Sequence, residues 1–416
     1  MINIAVLGYG TVGSGVVEVI DKNNDSVSKR AGDTINIKYV LDLRDFPGNR
    51  VESILVHDFD TILNDPEVAI VVEVMGGVEP AYTFVKKSLL AGKSVCTSNK
   101  ELVAAHGPGL IAMAKENNVN FLFEASVGGA IPVIRPINSS LTADRIVEIK
   151  GILNGTTNYI LTQMAEEGWD FDKALSSAQE MGYAERNPEA DIEGYDATRK
   201  IAILSSLAFG KNVDYEKVYT EGISKITATD IRFVKKMGGA IKLLASSTCE
   251  DGKYFAMVAP FIVDKSQPLY AVSGVYNAVF VKGSQIGNIM FYGSGAGKLP
   301  TACAVVSDIV DAAKHPNKHI YMFWADEELA LTGIQNATRN FFVRVAGKKP
   351  ENEDIITKEF GKASFIELDD VPDEFAFVTP PITESTFDER IKKIPGVLGR
   401  IRLDRIVKEE NLNAGC

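Results

Sequence analysis

The apolar run Ile2 to Leu7 leads directly into Gly8-Tyr9-Gly10-Thr11-Val12-Gly13, and a segment with helical apolar spacing starts at about Val12. A GxGxxG run set between a strand and a helix has few uses. Its first glycine permits a tight turn, its second lets backbone approach phosphate oxygens, and its third lets the helix pack on the strand. The helix N-terminus meanwhile presents free amides and positive potential. Gly8, Gly10, Thr11, Val12 and Gly13 are therefore expected to hold a dinucleotide pyrophosphate. The alternative is a glycine-rich turn without a ligand, and the placement argues against it. From Met1 to about Ala125 the runs INIAVLG, INIKYVL, VAIVVEV, KSVCTS and NFLFEA alternate with helical stretches. That alternation indicates βαβ units and an α/β, Rossmann-type doubly wound parallel sheet, whose strands are apolar throughout because helices cover both faces.

Asp42 and Arg44 both stand near the end of the second strand. An acidic residue there would hold ribose hydroxyls, whereas an arginine favours a 2′-phosphate. Arg44 is the better candidate for a cation under the adenine ribose, a solvated loop arginine is the competing reading, and the choice between NAD and NADP stays open.

Beyond Gly128 the rhythm lengthens. A strand is expected near Arg145 to Leu153, helices near Thr156 to Glu167, Asp172 to Met181 and Tyr195 to Phe209, and extended stretches at Ile241 to Thr248, Tyr254 to Val263 and Tyr276 to Val281. These describe an α+β domain with a mixed sheet over about 131–315, following a dinucleotide-binding domain over 1–130 that a helix near 296–314 completes. A third, small domain over about 336–410 shows a β-α-β-β-α-β order, with the lysines and proline around Ala346 to Glu353 read as a mobile loop.

Composition removes other classes. The chain of 416 residues is 45% hydrophobic and 24% charged, enough for two or three cored domains. A formal charge of −11 with no basic block makes nucleic acid an unexpected partner. No apolar run is long enough to span a bilayer and the N-terminus lacks a signal peptide's features, so a cytoplasmic protein with no membrane partner is expected. Cys96, Cys249, Cys303 and Cys416 lack CxxC spacing and are read as reduced thiols; with four histidines, a zinc cluster is not expected.

Two lysines draw notice. Lys100 ends the tripeptide Ser98-Asn99-Lys100 at the carboxyl end of a strand, where open α/β sheets place ligands, although an isolated lysine there usually points into water. On the helix through ATRKIAILSSLAF, Asp196, Lys200, Ile203, Leu204 and Leu207 share one stripe. A lysine on such a stripe is partly desolvated, which lowers an ammonium pKa toward the range useful for proton transfer, and Asp196 can pair with it. The competing reading is a surface ion pair. Glu185, Glu189, Asp191, Glu193 and Asp196 crowd the preceding loop, an acidic pocket suited to an amino-bearing substrate rather than a transition metal.

Taken in order, GYGTVG, VVEVMGG, TSNKELVA, EASVGGAIP, GILNGTTNYIL, GYAERNPEADIEGYDATRK and FYGSGAG closely resemble homoserine dehydrogenase over about residues 1–315. The resemblance implies NAD(P)-dependent interconversion of L-aspartate 4-semialdehyde and L-homoserine in threonine, methionine and isoleucine biosynthesis. It implies that Lys200 donates the proton, that Lys100 lies where cofactor meets substrate, and that Glu185, Asp191 and Asp196 build the substrate pocket. Gly76, Ser98 and Gly295 match positions along the nicotinamide cofactor, and Arg44 matches an arginine under the 2′-phosphate. EASVGGAIP resembles a monovalent cation loop, with Glu124 and the carbonyls of Val127, Gly129 and Ile131 as sodium ligands. Asn187 departs from the aspartate usual before that proline. The C-terminal segment resembles an ACT regulatory domain, with GKKPENED replacing the expected proline-glycine turn. Family resemblance further implies a homodimer or homotetramer. Two rivals remain: a dehydrogenase for a related aldehyde or amino acid, and a dinucleotide-sensing regulator without turnover.

Overall fold

The computed structural model describes residues 1–405, so Cys416 and the tail of the C-terminal segment lie outside it. The chain divides into two compact units.

The first comprises residues 1–146, 202–216 and 282–329. Its main sheet is built from β1 (Ile2–Leu7), β2 (Ile35–Leu41), β3 (Leu55–Val56), β4 (Val68–Glu73), β5 (Ser94–Thr97) and β6 (Phe121–Leu122) in the order β3-β2-β1-β4-β5-β6. Every pairing is parallel. Ile4, Ala5, Val6, Leu7, Val71 and Val72 are fully buried, as strands covered on both faces require. The strand order reverses between β1 and β4, so a crevice opens at their carboxyl ends, where ligands of such sheets bind. Helices α1 (Thr11–Ala31), α2 (Phe59–Leu63), α3 (Ala81–Leu90) and α4 (Lys100–Glu116) connect the strands. The helix Lys298–Lys314 belongs to the same unit and packs on α1 so closely that a Cβ at Gly15 would meet Lys298 O at 2.7 Å.

The second unit comprises residues 147–201, 217–281 and 330 onward. Its mixed sheet runs Tyr276–Gly283, Ile146–Ile152, Gly239–Glu250, Lys253–Asp264, Val397–Leu403, Phe341–Ala346, Glu374–Val378, Ser364–Glu367. The long hairpin from Gly239 to Asp264 turns at Asp251-Gly252, both with positive φ, the two-residue geometry that matches strand twist. Val397–Leu403 pairs in parallel with Lys253–Asp264 on one side and antiparallel with Phe341–Ala346 on the other. The C-terminal strands thus extend the sheet of the second unit rather than standing apart from it. A phenylalanine-rich cluster, Phe341, Phe360, Phe375, Phe377 and Phe387, forms their core. Each such ring contributes roughly 1.5–3 kcal/mol over an exposed one.

Buried charges tie the two halves of this sheet. Arg402, 1% exposed, donates through Nε and Nη2 to Glu384 (2.7 and 2.8 Å) and through Nη1 to Glu221 (2.7 Å). Arg344 reaches Asp230 at 2.7 Å and Glu374 at 2.6 Å. Of Ala346 to Glu353, expected as a mobile loop, Ala346 ends the strand Phe341–Ala346 and the residues from Lys349 open the helix Lys349–Phe360. Pro350 sits in its first turn, where a missing N–H costs nothing. No helix among the described residues is long and apolar enough to cross a membrane.

Candidate active site

In the first unit the glycine loop is shaped by its neighbours. Gly8 has φ 97°, which an L side chain rarely adopts, and its N–H donates to Leu41 O at 2.8 Å. A Cβ at Gly13 would lie 1.9 Å from Gly8 O, so only glycine lets α1 begin there. Gly10, by contrast, faces open space, with nothing within 4 Å of the Cβ position. Thr11 and Val12 begin α1, whose N-cap has no side-chain partner, leaving its first amides for a ligand.

Asp42, at the end of β2, accepts from Tyr9 N at 2.8 Å and from Arg44 through Nε and Nη2, both at 3.0 Å. The guanidinium holds the Asp42 carboxyl well below the usual carboxylate range. The aspartate is therefore engaged, while the Arg44 side chain is 63% exposed and stacked 5.2 Å from Phe46.

The turn after β4 depends on Glu73, which the sequence reading passed over. Fully buried, it accepts from Met75 N (2.8 Å) and Thr97 Oγ1 (2.6 Å), joining the loop of Gly76 to the end of β5. Asn99 caps α4 through Leu102 N and donates to Gly77 O at 2.6 Å. Ser98 N donates to Glu73 O at 3.4 Å, and Lys100 starts α4 just beyond the carboxyl end of β5. Gly295 also approaches closely: a Cβ at Gly129 would be 2.3 Å from its carbonyl oxygen.

The Glu124 carboxylate, 3% exposed, accepts from Val133 N (2.6 Å), Ile134 N (2.8 Å) and Arg135 N (2.7 Å). Its side chain is spent on backbone amides, so a cation here would take the main-chain carbonyls of Glu124, Val127, Gly129 and Ile131. Neutral oxygens of that kind suit a hard monovalent ion. Among the described residues no group of three or more His, Cys, Asp or Glu could hold a metal. Asp308 accepts from Glu124 N and from Arg135; burial and the Glu124 charge outweigh Arg135 and push it up to about 8.

In the second unit a compact knot surrounds Lys200. The lysine is 8% exposed, and Nζ donates to Asp196 Oδ2 at 2.7 Å and Leu153 O at 2.8 Å. Asp196, one turn earlier on the helix Tyr195–Phe209, is 3% exposed. Ile203, Leu204 and Leu207 on the same stripe are buried, so the pair is no surface ion pair. Asn154 donates to both Asp196 Oδ2 (2.9 Å) and Asp191 Oδ1 (2.7 Å). Glu185 lies outside this knot, on an exposed loop fastened by Thr156 Oγ1 to Tyr183 O and by Gln179 Nε2 to Glu185 O. Asn154 also escaped the sequence reading, although an asparagine just before a helix is a capping signal that could have flagged it.

The family model described as "Homoserine dehydrogenase, NAD binding domain" matches residues 8–124, and "Homoserine dehydrogenase" matches 132–310. The chain is 42% identical over 365 residues to a homoserine dehydrogenase of Synechocystis sp., covering 86% of this chain and 81% of that one. It is 43% identical over 318 residues to one of Bacillus subtilis, covering 76% and 73%. A solved homoserine dehydrogenase of Thiobacillus denitrificans superposes with TM-score 0.87 at 34% identity, covering 97% and 98%. A hyperthermophilic archaeal homoserine dehydrogenase mutant in complex with NADPH gives 0.65 at 29% identity, covering 76% and 99%.

Proposed function

The chain belongs to the homoserine dehydrogenase family, and on that premise we propose that Lys200 passes the proton to and from the substrate oxygen. The protein is an NAD(P)-dependent oxidoreductase of amino-acid biosynthesis interconverting L-aspartate 4-semialdehyde and L-homoserine. The nicotinamide, when bound, supplies the hydride to the aldehyde carbon or removes it from the alcohol.

What this chain's residues contribute follows from charge. Reduction leaves negative charge on the substrate oxygen, and an ammonium donor aimed at that oxygen interacts more strongly as the charge grows. The observation supporting Lys200 for this role is its burial against Asp196 at 2.7 Å, which holds the amine in one place and out of bulk water. Glu185 takes the substrate's amino group, Asp191 and Asp196 complete that pocket and orient Lys200, and Lys100 assists at the cofactor edge. Gly8, Gly10, Thr11, Val12 and Gly13 hold the pyrophosphate; Gly76, Ser98 and Gly295 line the nicotinamide side. Arg44 meets a 2′-phosphate, favouring NADP. The carbonyls of Glu124, Val127, Gly129 and Ile131 hold sodium.

Nicotinamide absorbance followed with homoserine and each oxidised cofactor measures the activity. Lys200→Met should lower kcat by about a hundredfold or more, the scale of general acid–base catalysis; wild-type turnover would remove the assignment. A homodimer or homotetramer in the cytoplasm, and an ACT-like role for the C-terminal β-α-β-β-α-β segment, complete the reading. Gel filtration and activity with and without threonine test the assembly and the regulatory role.

A further inference from the structure

Both N–H groups of the Asn154 amide are committed to carboxylates. One donates to Asp191 Oδ1 at 2.7 Å and one to Asp196 Oδ2 at 2.9 Å, while Oδ1 accepts from Thr157 N at 2.9 Å and caps the helix Gly155–Glu166. The amide cannot be reversed, because its oxygen would then face two carboxylates. The preceding residue supplies Leu153 O, which accepts from Lys200 Nζ at 2.8 Å. Two consecutive residues therefore bond the lysine and its counter-ion at once, and the helix cap fixes both.

We propose that Asn154 is a positioning residue for proton transfer, a neutral donor that divides the Asp196 carboxylate with Lys200 and links that carboxylate to Asp191. Asp196 Oδ2 receives the lysine at 2.7 Å and the amide at 2.9 Å, so part of its acceptor strength is spent on a group that carries no charge. A carboxylate relieved in this way grips the ammonium less, and the amine gives up its proton more readily. A cation at position 154 would oppose the lysine; an apolar side chain would leave the buried Asp196 and the half-buried Asp191 without the donor they share.

This inference rests on the assignment of Lys200 as proton carrier, and the experiment separates the two. Asn154→Ser keeps a capping oxygen for Thr157 N but removes the double donation; Asn154→Asp keeps the cap and adds a third carboxylate. Each is assayed in homoserine oxidation beside Lys200→Met, with kcat and KM measured across pH and unfolding followed by circular dichroism. Expected for Asn154→Ser is a near wild-type melting temperature and a kcat lower by about tenfold or more, a loss on the scale of a misplaced reacting group. KM should change less, and the alkaline-rising inflection in log kcat should move to higher pH, further still in Asn154→Asp. A role confined to capping, which both variants retain, would leave kcat and the inflection at their wild-type values. Wild-type kcat and inflection in both variants, with Lys200→Met inactive, overturns the inference alone. Wild-type turnover in Lys200→Met overturns the assignment and the inference together. Should Asn154→Ser fold poorly, Asn154→Asp decides on the same readouts.

Discussion

Two alanine substitutions in the glycine loop, three residues apart, should fail in opposite ways. At Gly13 the new methyl would lie 1.9 Å from Gly8 O, far inside the 3.4 Å at which ordinary contact begins, and 3.2 Å from Val74 Cγ2, slightly inside it. The clash is with backbone, which no rotamer change relieves, so the start of α1 must move from β1 at a cost of roughly 1–3 kcal/mol. At Gly10 the backbone has φ −83°, which any residue adopts, and nothing lies within 4 Å. Gly10→Ala should therefore melt with the wild type while its methyl fills the space that phosphate oxygens need. Losing one charge-assisted hydrogen bond there costs about 1.5–3 kcal/mol, or roughly ten- to a hundredfold in cofactor Kd. Fluorescence titration with NADPH and cofactor-free thermal melts measure both quantities. Wild-type affinity in Gly10→Ala would refute the loop assignment, and a wild-type melt in Gly13→Ala would refute the packing argument.

Arg44→Ala should weaken NADP(H) at least about tenfold and leave NAD(H) nearly unchanged, because only the former carries the 2′-phosphate; equal losses in kcat/KM for both cofactors would show that Arg44 does not read that group. Arg402→Met leaves Glu384, 3% exposed, without its bidentate partner, and should cost about 3–5 kcal/mol in urea unfolding. Adding Glu384→Gln should recover part of that loss, and no recovery would count against the pairing. Asp308 binds its proton in the folded protein up to pH about 8 and releases it near 4 when unfolded, so between those limits it makes stability fall as pH rises. The stability of the wild type minus that of Asp308→Asn should decline with pH by up to about 1.4 kcal/mol per unit; a flat or rising difference would contradict the burial argument.

The parts legible in the sequence were those written in short-range spacing. GYGTVG between strand and helix, and Asp196 four residues before Lys200, each specify a local geometry that the surrounding apolar pattern then buries. Asn154, Glu73 and Arg402 carry no such pattern. Asn154 meets its carboxylates 37 and 42 residues away, and Arg402 meets Glu221 across 181. A single polar residue gives no warning of partners that only the folded sheet brings near. Glu124 shows the same limit differently, since its carboxylate is satisfied by amides nine to eleven residues on and only its main chain remains for a cation. The segment Ala346 to Glu353 misled because proline and lysine suggest a loop, yet both are at home in a helix's opening turn.

The last described strand, Val397–Leu403, lies in the middle of its sheet, between Lys253–Asp264 and Phe341–Ala346. During synthesis that position stays vacant until residues 397 to 403 have been made, and the two flanking strands, made earlier, wait for it. The glycine loop and its parallel strands β1 to β6 are made before it and need nothing from it for their pairing. A chain cut short at residue 396 would therefore keep its glycine loop and parallel sheet but leave the facing edges of Lys253–Asp264 and Phe341–Ala346 open, the kind of surface through which proteins stick to copies of themselves.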